Sequence, residues 1–169
     1  AIRATTGEIV LLSDQDDRWS DRRVALSMAA LGDDPAALLV HGDAALVDAL
    51  GVETGDTLFG SYGVDAAVLA GLGGDDAFEL LLRRNLVTGA TVALRRELAE
   101  AAFPFPSGWV HDEWLAIVAA ALGRIVPLPD RLIDYRQHGS NVIGAASLSL
   151  RGKLARLVEP GYERNRRLL

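Results

Sequence analysis

Gly7-Glu8-Ile9-Val10-Leu11-Leu12-Ser13-Asp14-Gln15-Asp16-Asp17-Arg18-Trp19 sets a short apolar run directly against a cluster of carboxylates. The run within 8–13 reads as a strand buried on both faces, because it is continuous rather than alternating and polar residues close it. The acidic cluster then lies at the strand's C-terminal end, which is where open α/β sheets bind ligands. Just downstream, Ser20 can cap a helix with Asp21 in its first turn. Val24, Met28 and Leu31 would form its apolar face and Gly32 its stop. Strand, acidic loop and helix together predict an α/β domain with a mixed sheet flanked by helices.

Outward from this unit, Ala36 to Val40 reads as a second strand, and Gly42-Asp43 breaks it before a short strand or helix over Ala44 to Leu50. Gly51 to Gly74 shows no persistent period. It predicts a long connection with one short helix near Ala66 to Leu69, serving as a lid or binding loop. Helices are expected over Asp76 to Arg84 and Arg95 to Ala102, with an extended stretch over Leu86 to Leu94 interrupted at Gly89. After His111 the pattern is apolar nearly all round, which marks a buried helix. Ile125 to Leu128 and Leu132 to Tyr135 read as two short strands, and Leu148 to Leu169 as a basic amphipathic helical region.

The 169 residues are one domain's worth of chain, assigned here to 1–146 with a tail at 147–169. Half of the residues are hydrophobic and 24% are charged, which excludes a disordered chain. A net charge of −6 argues against a general nucleic-acid binder, whose affinity depends on many cations meeting phosphates. Absence of cysteine excludes disulfides and zinc-thiolate centres. The run Leu115 to Leu122 falls far short of the roughly 20 apolar residues that span a bilayer. No signal-peptide layout opens the chain. Its first residue is Ala1, and a strand-like run follows at once, so the sequence reads as an excerpt of a longer protein.

Three constellations could carry chemistry. Asp14, Asp16 and Asp17 raise one another's pKa unless a cation relieves them. Hard oxygens without cysteine suit Mg²⁺ or Mn²⁺, which use one or two carboxylates and complete the shell with water and phosphates. The bland alternative is a solvated loop capping the next helix. Asp112, opening the buried helix in His111-Asp112-Glu113, reads either as an N-cap or as a general base held on a rigid element. His138 reads as a surface residue or as a metal or phosphate contact.

Taken in order, Gly7 to Trp19, Asn85-Leu86-Val87-Thr88-Gly89-Ala90-Thr91, His111-Asp112-Glu113-Trp114 and Tyr135-Arg136-Gln137-His138-Gly139-Ser140-Asn141-Val142-Ile143-Gly144 resemble the family-two glycosyltransferases of the GT-A fold. The resemblance is to the rhamnosyltransferase-like branch that builds bacterial surface polysaccharide, and Val40 to Val47 resembles that branch's mid-domain strand. It implies an inverting transfer from a nucleotide-diphosphate sugar, with rhamnose suggested by the branch, to a saccharide acceptor. Asp14 would face the ribose or the metal's water shell. Asp16 would bind the Mg²⁺ or Mn²⁺ that clamps the diphosphate, with His138 a further metal or diphosphate contact. Asp112 would be the catalytic base. Trp114 and the turn Thr88-Gly89-Ala90 would line the acceptor side.

Two segments of the family pattern are missing: a Pro-Thr-Tyr-Asn-like loop and an Asp-Asp-Gly-Ser-like segment, which hold base and ribose. The expectation is therefore an incomplete GT-A domain, inactive on its own, with an exposed sheet edge that favours a homodimer. Location is expected in the cytoplasm, at the inner face of the membrane; the basic tail reads first as a solvated helix face and second as a contact to anionic lipid or a phosphate-bearing acceptor. A non-catalytic sugar- or partner-binding module is the competing reading. A metal-dependent phosphohydrolase of the haloacid-dehalogenase type is weaker. It needs Thr or Val four positions after the first Asp, where Arg18 stands, and a later Lys, whereas the one lysine here is Lys153.

Overall fold

The computed structural model describes residues 2–137, so His138, the rest of that motif and the tail at 147–169 lie outside the described residues. In chain order the elements are β1 (Ile9–Leu11), β2 (Arg18–Trp19), α1 (Arg23–Asp33), β3 (Ala37–Val47), β4 (Glu53–Thr57), α2 (Leu58–Tyr62), α3 (Ala66–Leu72) and α4 (Ala77–Arg83). A 3-10 turn (Gly89–Thr91), β5 (Ala93–Arg95), α5 (Arg96–Ala102), α6 (His111–Leu122) and β6 (Arg124–Arg136) follow. The sheet is mixed, in the order β1-β5-β3-β6-β2, with β4 added to the far half of β3.

β3 and β6 pair in parallel over their whole length, and the remaining pairings are antiparallel. Because β5 runs against both β1 and β3, the strands β1, β3 and β6 all point the same way. The two-residue side-chain period sorts the core. Leu39 and Leu94 join the cluster beneath α4, α5 and α6, whereas Val40 and Ala93 join Leu31 of α1 on the opposite face.

Several sequence expectations change. β1 is not buried on both faces: Val10 is buried, but Ile9 and Leu11 are half-buried, because this strand ends the sheet. α1 is turned from its expected face. Val24 and Met28 are 48% and 46% exposed, while Arg23, Ser27 and Leu31 are buried. The cap residue is Arg22 rather than Ser20, whose hydroxyl accepts the Arg22 N–H at 3.3 Å just ahead of the helix, and α1 runs through Gly32 to Asp33. The two segments separated at Gly42-Asp43 are one strand, β3, bent by register shifts there. β6 is likewise one strand where two were expected.

The stretch Gly51 to Gly74 is not a long lid. It folds into β4, α2 and α3, and Leu58, Phe59 and Leu72 bury themselves in the core. Thr57 caps α2 by accepting from the Gly60 N–H at 3.1 Å, and Asp65 caps α3 by accepting from Val68 at 2.9 Å. Asp43 organises the bend in β3: its Oδ1 accepts from its neighbour Ala44 and from Phe59 of α2, each at 2.8 Å.

His41 sits fully buried in β3, edge-on to Phe59 at 5.7 Å between ring centroids. Burial pulls its pKa down from 6.5 to about 4. The unfolded chain therefore takes up a proton before the folded one does as pH falls through this window, and stability is lost between pH 6.5 and 4. The size is about 3 kcal/mol at 1.36 kcal/mol per pKa unit. Asp17 works oppositely, being raised from 3.8 to about 6, chiefly by burial. The expected result in urea denaturation is that His41→Leu flattens the acid loss of stability relative to the parent. Parallel pH curves for the two proteins would contradict the neutral buried imidazole.

Candidate active site

The acidic loop is placed by its two ends. β1 pairs with β5 at one edge of the sheet, and β2 pairs with β6 at the other. Residues 12–17 must therefore cross the end of the sheet, on the side where β1, β3 and β6 all terminate. Arg18 secures the far end, its Nε donating to Asp134 Oδ2 at 2.7 Å.

Beneath the loop lies Arg23, a fully buried guanidinium. Its Nη2 donates to the Leu12 carbonyl at 2.7 Å, and its plane stacks under Trp19 at 4.0 Å. Nε and Nη1 are buried without a hydrogen-bond partner, as is Asp17 Oδ2. Burial brings the Arg23 pKa down to about 10 against the pull of Asp17 and Asp14. Burial first, then the charges of Asp14 and Asp16, push Asp17 up to about 6, against the lowering effect of the N–H donated by Arg136. One buried cation is thus an incomplete answer to three carboxylates.

Asp112 occupies the second position of α6 and is nearly buried. It is not the helix cap; Val110 holds that place without a side-chain bond. Instead Asp112 Oδ2 accepts from the Gly89 N–H at 2.8 Å, and Oδ1 from the Glu113 N–H at 2.8 Å. Each oxygen keeps a further lone pair for a ligand. The contact explains Gly89. A Cβ there would stand 2.9 Å from His111 Nε2 and 3.4 Å from Asp112 Oδ2, so a side chain at 89 would have to displace the exposed His111 ring beside the carboxylate.

The structure brings Gly89 and Asp112 together. The other acceptor-side residues are placed differently. Ala90 is buried in the cluster around Leu132 and Tyr135. Thr88 spends its carbonyl on the Thr91 N–H and hydroxyl. Trp114 donates its indole N–H to the Ala102 carbonyl at 2.8 Å and packs on Trp109. Trp114 joins α6 to α5, and its indole N–H is already committed.

Asp14 and His111 line one cleft of about 730 Å³. Leu11, Leu12, Phe103 and Phe105 form its apolar wall, the two rings stacked at 4.8 Å. The acidic loop and the N-terminus of α6 therefore open into a common space. Arg23, Arg136 and His41 are the polar residues that sequence reasoning missed. Arg23 and Ser27 share the Leu31 face, but nothing in residue type marks a polar pair as the buried one. Among the described residues no three His, Cys, Asp or Glu side chains converge as a metal cage. None of the described helices is long and apolar enough to cross a membrane. No family model and no curated protein matches the chain.

Proposed function

We propose that this domain is the metal- and acceptor-handling part of an inverting glycosyltransferase of the GT-A type, using a nucleotide-diphosphate sugar and a saccharide acceptor in bacterial surface polysaccharide synthesis. The observation that carries the reading is a cleft lined by Asp14 of the acidic loop and by His111, the residue before Asp112. A cation fits the loop's chemistry: hard oxygens crowd there and Asp17 is driven toward neutrality by burial and by like charges. Asp16 would hold Mg²⁺ or Mn²⁺, with Asp14 facing the ribose or the metal's water shell and His138 a further metal or diphosphate contact. A site of one or two carboxylates completed by water and diphosphate needs no protein cage. When bound, the ion supplies charge neutralisation to the leaving diphosphate.

The chain's own residues do the rest. Asp112, its two oxygens accepting from the Gly89 and Glu113 amides, takes the proton from the acceptor hydroxyl as that oxygen attacks the anomeric carbon and the nucleoside diphosphate leaves. The Phe103 and Phe105 rings keep water from one side of the cleft. With a UDP- or dTDP-sugar, an acceptor saccharide and Mn²⁺, a protein form that turns over is expected to release nucleoside diphosphate and form product with inverted anomeric configuration. Retained configuration, or release unaffected by EDTA, would contradict the reading.

The sheet edge belongs to the same reading. Bonds from Leu12 N–H to Val92 and from Arg96 N–H to Glu8 show that the even-numbered residues of β1 face β5. Ile9 and Leu11 therefore turn their backbone groups outward. Such an edge invites pairing, and a homodimer is the arrangement we favour. Light scattering at micromolar concentration is expected to give a mass above 18.0 kDa; a clean monomer would contradict pairing. Peripheral contact with the inner face of the membrane completes the proposal.

A further inference from the structure

We infer that Arg136 is the positioning residue of the acidic loop, and that it fastens three separate chain segments into one body. The inference rests on the nucleotide-sugar reading for its functional consequence, but its geometry is independent of it. Arg136 closes β6, where its backbone N–H donates to Asp17 Oδ1 at 3.0 Å. The side chain then reaches back to the same loop, Nε donating to the Asp16 carbonyl at 3.0 Å. On the other side, Nη1 donates to the carbonyls of Asp48 at 3.4 Å and Ala49 at 2.8 Å, in the turn between β3 and β4.

The chemistry suits arginine and no other residue. The acceptors are carbonyls on two different segments, and a planar fork with donors on Nε and Nη1 spans them at fixed angles. Lysine offers one compact ammonium and can satisfy one side at a time. The backbone bond to Asp17 does not involve the side chain and is kept in Arg136→Lys and Arg136→Met, so the side chain is a separable part of the latch. Because Arg136 grips the Asp16 carbonyl, it fixes the peptide that carries the Asp16 carboxylate. Asp17, gripping β6 in return, is a latch residue.

The test uses the intact 169-residue chain as parent, Arg136→Lys and Arg136→Met, with two readouts. Hydrogen–deuterium exchange is expected to show that Arg136→Met speeds exchange in residues 13–19 and 48–52 together, while α6 and β5 keep their protection. Mn²⁺ binding in the presence of UDP, followed by loss of the free-ion EPR signal, is expected to weaken by at least about tenfold in Arg136→Met. Arg136→Lys is expected to restore protection in one of the two segments only, with intermediate Mn²⁺ affinity. Unchanged exchange in both segments, or full rescue of both by lysine, overturns the latch. Failure of the parent chain to bind Mn²⁺ with UDP would count against the nucleotide-sugar reading, and the exchange arm would still decide the latch.

Discussion

Asp112→Asn, made in a longer form of the protein that turns over, is expected to cut sugar transfer by about 10²- to 10⁴-fold, the span that a positioned general base contributes, while nucleoside diphosphate and Mn²⁺ bind within about twofold of the parent. The substitution keeps the shape of the side chain and removes its basicity. It also has a local cost, because an amide has one acceptor oxygen for the two N–H groups of Gly89 and Glu113 that now share the carboxylate. One of those donors meets an NH₂ instead, a loss of about 1–3 kcal/mol. Melting temperature and nucleotide binding must therefore be measured on the same preparation. Lost turnover with retained binding assigns the proton to Asp112; unchanged turnover removes it from the base role.

The second large effect is on folding. Gly123→Ala is expected to destabilise by about 2–3 kcal/mol, in the range of overpacked sites. Its Cβ would stand 2.6 Å from the Ala36 carbonyl oxygen and 2.9 Å from the Leu38 side chain. The carbonyl cannot yield, since it accepts the Arg124 N–H at 2.8 Å where β6 begins. Gly32→Ala is the matched control. A Cβ there meets nothing within 4 Å, and it lies inside α1, so alanine is expected to stabilise by about 0.5–1 kcal/mol through helix propensity. Opposite shifts in urea midpoint are the expected result; equal midpoints would mean that the junction of α6 and β6 is looser than the geometry requires.

These two glycines mark a limit of the sequence reading. Residue type announces neither the close approach at Gly123 nor the free surface at Gly32, because both depend on which segments fold together. What was legible followed from period and punctuation: the apolar run ending at Asp14, the buried helix after His111, and the helices near 76–84 and 95–102. Burial on both faces of Ile9 to Leu12 failed, because an apolar run does not say whether a strand lies inside a sheet or at its edge. The face of α1 failed for a related reason. Val24 and Met28 make the more hydrophobic stripe, yet the loop's carboxylates and the Leu12 carbonyl draw Arg23 inward and rotate the helix with it.

The candidate site was legible in part. Gly89 and Asp112, both named from the motifs, lie far apart in sequence and meet through a hydrogen bond, and Asp14 reaches the same cleft as His111. Trp114 and Ala90 were named from motif position alone, and packing commits one to Ala102 and the other to the core. Arg136 escaped notice because its role is defined by three carbonyls. A carbonyl acceptor leaves no trace in residue type.

Calorimetric titration of the chain with UDP and with dTDP, each with and without Mn²⁺, tests the central claim most directly when Asp16→Ala is run alongside. The account predicts binding of at least one nucleotide that requires the metal and is lost in Asp16→Ala. Nucleotide binding that ignores both Mn²⁺ and the substitution would contradict a nucleotide-sugar site built on the acidic loop.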